Sequence, residues 1–152
     1  MGFRGNFLNK FDDAGRLSLP AKMRDELRSS FEDDSLIAYV LGQIVKLFPK
    51  KIYDERMRAM EEACKHDKAA YPIYKKISSI SCPIDINSSG RMNIPAHMRE
   101  EADLGAECYI LGIGDTIELW NKERWIESNA EIDLTKAADI ESLKGFADML
   151  GI

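Results

Sequence analysis

Arg16 and Arg91 stand in nearly the same short context, DDAGRLSLPAKMRDE at residues 12–26 and NSSGRMNIPAHMREE at residues 87–101. A guanidinium is a planar, permanently charged fork, and its spacing fits a phosphate or the O6 and N7 edge of a guanine. One Gly-Arg pair in a strand is ordinarily a solvated or salt-bridged surface feature. The same pair written twice in register points to a shared task, contact with phosphate or with a base edge. Arg4 and Lys10 flank the segment that leads into the first Gly-Arg, where a strand cation can track a phosphate backbone. Arg24 and Arg99 fall on helix faces beside acids, and an intramolecular ion pair is an equal alternative for them.

Other residues with chemical capability fall in poorer patterns. Cys64 and His66 have no CxxC companion and Cys82 is distant in sequence, so no metal site is expected. His97 stands where the first repeat has Lys22, which suits a surface charge that varies with pH better than a catalytic base. The acid pairs Glu61-Glu62 and Glu100-Glu101 lie among basic residues and read as solvated helix faces. Trp120 and Trp125 could stack on bases, yet both lie in apolar patterns that assign them to core or subunit interface. A hydrolase pairing Cys64, Cys82 or Cys108 with His66 or His97 is the enzymatic rival. No spacing favours it, and neither a catalytic residue nor a cofactor is expected.

The elements that must position the two arginines follow from alternation and turn chemistry. Phe7, Asn9 and Phe11 alternate with Leu8 and Lys10 as in a strand. Asp12 and Gly15 then suit a chain reversal, because a carboxylate can accept turn amides and glycine takes positive φ without steric penalty. Asn87 and Gly90 occupy the matching positions, with the acceptor oxygen kept and the negative charge lost. After each turn, Leu17 and Leu19, or Met92 and Ile94, fall on one face, and Arg16 and Ser18, or Arg91 and Asn93, on the other. Each arginine is thereby aimed away from the core. Pro20 and Pro95 stop these strands and suit the first turn of a short helix.

The echo extends further, since YVLGQIVKLFP (residues 39–49) resembles YILGIGDTIELW (residues 109–120), and both read as apolar hairpins bending near Gly42 and Gly112 to Asp115. Between the repeats, Ile52, Arg56, Met57, Met60 and Cys64 fit one helix face, and Tyr71 to Ser79 a second helix. Beyond Trp125, Ile140, Leu143, Ala147 and Leu150 recur at helical spacing, which predicts a packed helix. The domain reading is a first repeat at 5–50, a helical connector at 51–80, a second repeat at 81–125 and an acidic helical segment at 126–152.

Composition sets the outer limits. With 152 residues, each repeat alone is too small to bury an adequate core, so the two are expected to share one. No run approaches the length needed to cross a bilayer, no secretory signal or myristoylation pattern opens the chain, and three scattered cysteines do not suit a disulfide framework. A cytoplasmic protein without a membrane partner is expected. The net charge of −5 disfavours a uniformly charged nucleic-acid binder. The charge is uneven, however. Residues 1–28 carry six Lys or Arg against four acids, and residues 127–152 carry two against six.

Strand, Asp-x-x-Gly-Arg turn, short strand, Pro-led helix and hairpin, written twice, resembles the MraZ family of bacterial transcriptional regulators. The likeness spans residues 3–125 and rests on Phe3 to Gly5, the AspAspAlaGlyArg turn with LeuPro, the second GlyArg with IlePro, LeuGly at 111–112 and GluLeuTrp at 118–120. Two departures stand out: Asn87 replaces the Asp of the turn motif, and Ala14 replaces a common Lys. The resemblance implies a β-rich α+β fold, two tandem AbrB/SpoVT-like swapped-hairpin units forming one interleaved pseudo-two-fold β-barrel with peripheral helices. It further implies a ring-shaped homo-oligomer, associated with the nucleoid, that binds double-stranded DNA at direct promoter repeats. The expected function is a repressor of the division and cell-wall gene cluster, its own promoter included. The expected DNA-binding residues are Arg16, Arg91, Arg4 and Lys10, on turns formed by Asp12, Gly15, Asn87 and Gly90. The alternative is an interaction module of antitoxin type that binds a partner protein.

Overall fold

Four of the six strand pairings in this chain join one repeat to the other. The computed structural model describes residues 2–152. Contacts divide the chain into two compact units, residues 1–122 and residues 123–152. The first unit holds the strands β1 (Asn6–Lys10), β2 (Arg16–Ser18), β3 (Leu36–Leu41), β4 (Ile44–Pro49), β5 (Cys82–Ile84), β6 (Arg91–Asn93), β7 (Glu107–Ile113) and β8 (Thr116–Asn121). Its helices are α1 (Ala21–Ser29), α2 (Lys50–Cys64), α3 (Ala70–Ile80) and α4 (Ala96–Glu101). All pairing is antiparallel, which makes an α+β protein.

Six strands form one sheet in the order β1-β7-β8-β4-β3-β5, and β2 and β6 form a separate ribbon. Strands β1 and β7 come from different repeats, as do β5 and β3, β2 and β6, and β4 and β8. Only the β3–β4 and β7–β8 hairpins pair within a repeat. At the first hairpin, Gly42 and Gln43 both take positive φ (60° and 64°), the two-residue geometry that matches the twist of the flanking strands. Where the two hairpins meet, Lys46 lies opposite Glu118 and forms an ion pair with it. That carboxylate is buried and also accepts from the Trp120 indole N–H at 2.8 Å.

No closed barrel of continuous ladders, as the resemblance implies, is seen among the described residues. The six-stranded sheet ends at β1 and β5, and each end reaches the ribbon through a single bridge, Phe11 with Leu17 and Ile86 with Met92. Proline is the physical reason. Pro20 and Pro95, with φ near −52° and −54°, lie one residue beyond the ribbon strands, after Leu19 and Ile94, and directly before α1 and α4. Each ribbon strand is thus held to three residues, too short for a continuous ladder with its neighbour.

The alternation read from the sequence is realised inside the unit. Leu17, Met92 and Ile94 have no exposed surface, and Leu19 is buried with them. They meet Met23 and Leu27 from α1 and Met98 from α4 in one core shared by both repeats. Phe7 and Asn9 are half-buried while Leu8 and Lys10 face outward, which settles the mixed parity of β1. Leu111 is buried, whereas Leu41, beside the first hairpin turn, is 54% exposed.

In the second unit, α5 (Lys122–Ala130) begins at the boundary and is followed by a 3-10 helix (Leu134–Asp139) and α6 (Lys144–Leu150). Asp133 caps the 3-10 helix by accepting from the Thr135 amide. Of the apolar residues at helical spacing, Ala147 is buried, but Ile140 and Leu150 are exposed, contrary to the expected packed face. The tail is broken into short pieces, and a seven-residue helix cannot carry a stripe of that length.

Gly112 is the tightest point of the sheet edge, because a Cβ there would lie 2.4 Å from the Arg4 backbone nitrogen and 2.8 Å from the Phe3 carbonyl carbon. Backbone cannot step aside as a side-chain tip can. Gly112→Ala is expected to lower stability by about 2 kcal/mol or more and the melting temperature by roughly 4–8 °C. Gly145→Ala, in open space, should leave the melt unchanged or raise it slightly. Equal melts for the two variants would refute the close approach.

Candidate nucleic-acid interface

The ribbon collects both Gly-Arg motifs on one surface. Arg16 lies opposite Asn93, Leu17 opposite Met92, and Ser18 opposite Arg91. With Leu17 and Met92 turned fully inward, the outer face is left to Arg16, Ser18, Arg91 and Asn93. The arginine side chains are 41% and 45% exposed.

Both turns are built from the same hydrogen bonds. Gly15 N–H donates to the Asp12 carbonyl and Asp12 N–H to the Arg16 carbonyl, each at 2.9 Å; Gly90, Asn87 and Arg91 repeat this at 2.9 Å. Asp12 Oδ1 accepts from the amides of Ala14 (3.0 Å) and Arg16 (2.8 Å). Asn87 Oδ1 accepts from those of Ser89 (2.9 Å) and Arg91 (3.0 Å). Two amide donors on one side-chain atom require an oxygen there, which fixes the orientation of the Asn87 amide. Gly15 and Gly90 supply the positive φ, 77° and 81°.

The two turns differ in the second side-chain atom. Asp12 Oδ2 accepts from Arg16 Nε at 3.0 Å and from Arg91 Nη1 at 3.3 Å. One carboxylate therefore holds an arginine from each repeat. The corresponding atom of Asn87 is an amide nitrogen, which donates and cannot receive a guanidinium. The Asp12 carboxyl is held below its ordinary pKa, chiefly by the hydrogen bond from the Arg16 amide, with the Arg16 charge adding to it.

Arg24 and Arg99 are placed unlike the sequence expectation of exposed helix faces. Both are half-buried, and each crosses to the turn of the other repeat. Arg24 Nη2 donates to the Ser88 carbonyl at 3.0 Å, and its Nη1 is 2.7 Å from where a Cβ on Gly90 would stand. Arg99 Nε donates to the Ile94 carbonyl at 3.1 Å, its guanidinium lies over the Phe11 ring, and its Nη2 is 2.9 Å from the Cβ position of Gly15. Glycine is favoured at each turn by its positive φ, and a Cβ there would also displace the arginine tip beneath. Arg24 Nε is buried without a hydrogen-bond partner.

Lys10 is exposed, one residue before the Phe11–Leu17 bridge that ties β1 to the ribbon, and so stands beside the interface. Arg4 lies beyond the opposite end of β1, where its charge, after hydrogen bonds from Ser30 and the Gly2 amide, helps hold the Glu26 carboxyl below its ordinary pKa. Lys10 is the last of the five residues of β1, which rises roughly 17 Å, and Arg4 lies two residues before its start. Ser18 and Asn93 were not singled out as contact residues from sequence, although the alternation that exposed the arginines exposes them too.

Cys108 is unsuited to nucleophilic chemistry. Burial pushes the Cys108 thiol up to about 12, the opposite of an activated nucleophile. His66 is exposed and lies 3.5 Å from Glu62. Among the described residues no group of three or more His, Cys, Asp or Glu could hold a metal ion, and no helix is long and apolar enough to cross a membrane.

The lowered pKa of Asp12 has a definite sign. A carboxyl that ionises more readily when folded adds stability above its unfolded pKa, and that stability is lost as pH falls through the folded value. Melts between pH 7 and pH 3 are expected to fall less steeply for Asp12→Asn than for the unaltered chain, since Asn keeps the turn acceptor and cannot titrate. Parallel curves would mean that Asp12 bears no such load.

Comparison with known proteins bears on the whole chain. A family model described as "MraZ protein, putative antitoxin-like" matches residues 81–144. A protein of Corynebacterium urealyticum named Transcriptional regulator MraZ is 31% identical over 145 residues, covering 95% of this chain and 99% of that protein. Proteins of the same name from Pediococcus pentosaceus and Saccharophagus degradans are 30% and 26% identical, covering 86% of this chain in each case.

Proposed function

Because the chain belongs to the MraZ family, we propose that it is a sequence-specific DNA-binding transcriptional regulator, a repressor of the division and cell-wall gene cluster that acts on its own promoter among others. The observation that carries this reading is the ribbon, which sets two outward arginines from two repeats on one narrow, two-stranded face. A two-stranded β-ribbon fits the major groove of B-DNA, and arginine forks there pair with guanine O6 and N7. Lys10 is assigned to a neighbouring phosphate. Arg4, at the far end of β1, would contact DNA only outside the groove that the ribbon occupies. The role is binding and not catalysis, in the cytoplasm and at the nucleoid.

A protein with a net charge of −5 gains little from long-range attraction to DNA, and one ribbon offers few cationic contacts. Several ribbons in a ring-shaped homo-oligomer, each on one of a series of direct repeats, would make later contacts intramolecular. Such linkage raises avidity by roughly 10²–10⁴ where site spacing matches. Exposed Leu41 and Ile113, beside the turns of the two hairpins, are apolar surface available to such assembly.

A second reading, an interaction module of antitoxin type, gains from the second unit, where Phe146, Met149 and Leu150 are exposed at helical spacing on α6. An apolar stripe of that kind suits a protein partner. It leaves the ribbon without a task.

Titration of the DNA upstream of the chain's own gene tests the main reading. Arg16→Ala and Arg91→Ala are each expected to weaken binding, by about 1–3 kcal/mol where a bidentate base contact is lost, with melting nearly unchanged. Retained affinity, or a collapsed melt in its place, would count against the ribbon as the contact surface. Sedimentation with gel shifts tests the assembly: a strict monomer, or equal affinity for one repeat and for four, is incompatible with the ring.

A further inference from the structure

We propose that Asp12 is a positioning residue that makes Arg16 and Arg91 unequal readers, so that the ribbon engages DNA in one direction. The inference rests on the DNA-binding reading above. An antiparallel ribbon built from two copies of one motif has a local two-fold axis, and a symmetric ribbon would read a symmetric site equally well either way round. The axis is broken where it matters most. Asp12 has Asn87 as its counterpart, and Ser18 has Asn93.

The two arginines are consequently held in different ways. Asp12 Oδ2 engages Arg16 through Nε at 3.0 Å, along the side of the guanidinium. Neither Nη group of Arg16 takes part in that contact, which leaves an end-on pair of donors of the kind that guanine O6 and N7 accept. Arg91 is engaged by the same oxygen through Nη1 at 3.3 Å, at the end of the fork itself. An Nη1 hydrogen of Arg91 is thus committed to Asp12, so its end-on pair of donors is partly engaged, and its own turn supplies no carboxylate, because the spare atom of Asn87 is a donor. Arg16 is thus preorganised to present its end-on fork to a guanine edge, whereas Arg91 must release Asp12 to present that fork freely or turn its Nε and Nη2 side to the DNA instead.

Asn87 also provides a natural control. It makes the same two amide hydrogen bonds as Asp12, at 2.9 and 3.0 Å, so the turn closes with either residue. Asp12→Asn therefore removes the hold on both guanidiniums while keeping the turn. Asn87→Asp does the reverse and gives Arg91 a carboxylate of its own.

The test uses the full chain and a duplex of the DNA upstream of its own gene, with each guanine replaced in turn by adenine. The readout is the guanine-over-adenine affinity ratio at each position. In the unaltered protein, Arg16→Ala should lower the ratio roughly tenfold at one position, and Arg91→Ala should lower it by no more than about threefold. Asp12→Asn should lower the ratio at the Arg16 position while keeping a cooperative melt at pH 7, and Asn87→Asp should raise the Arg91→Ala effect to that of Arg16→Ala. Equal effects of the two alanine variants in the unaltered protein would overturn the inference. So would an Asp12→Asn protein that keeps its ratio, or one that loses affinity equally for every duplex. Should Asp12→Asn fail to fold, the Asn87→Asp arm decides alone. Failure of the unaltered protein to bind any part of the duplex would overturn the DNA-binding reading itself, and this inference with it.

Discussion

The display of the two arginines depends on three residue pairs, those that join β2 to β6. Neither strand could exist alone. Each is three residues long, bounded on one side by a glycine turn and on the other by proline, and each has one inward side chain to bury. Leu17 and Met92 lie directly opposite one another with no exposed surface, so each repeat provides the cover that the other lacks. Burial of two such side chains contributes about 3–6 kcal/mol, which is comparable to the net stability of a small domain. The outward face of the same pairing is the proposed contact surface. The hydrophobic requirement and the display of the arginines are two sides of one short ribbon.

Much of this was legible because the relevant signals are local. The two-residue alternation after each turn fixed which way Leu17, Met92, Arg16 and Arg91 would face, and the Asx-Gly pattern fixed where the chain would reverse. The shared core followed from the size of each repeat. What was not legible depends on pairing between distant segments. Arg24 and Arg99 read as surface residues beside acids, and only the meeting of β2 with β6 brings each helix against the opposite turn. The expected closed barrel fell for a related reason. Whether a sheet closes depends on how far each ladder runs, and proline ended the ribbon strands early. In the tail, helical spacing suggested one packed face, but the chain breaks into short pieces that leave Ile140 and Leu150 exposed.

Carrying both repeats on one polypeptide allows them to diverge. In an assembly of identical single-repeat chains, any substitution at the turn appears on both strands of the ribbon. Here Asp12 faces Asn87 and Lys22 is answered by His97, so charge and titration behaviour can differ between the halves while the hydrogen bonds of the turn remain matched. The core positions vary within narrower limits. Leu17 is answered by Met92 and Leu19 by Ile94, exchanges that roughly conserve volume.

The interleaved pairing also has a consequence during synthesis. Strand β1 leaves the ribosome well before its partner β7, with Asn6 beside Leu111 and Lys10 beside Glu107. At roughly 5–20 residues per second, β1 and β2 wait on the order of 5–20 s before the strands of their native ladders, β7 and β6, exist. Over that interval the β3–β4 hairpin, closed by a two-residue turn, can form within microseconds. The nascent chain is therefore a formed hairpin preceded by an unpaired apolar strand, and its exposure to misassociation is set by translation speed.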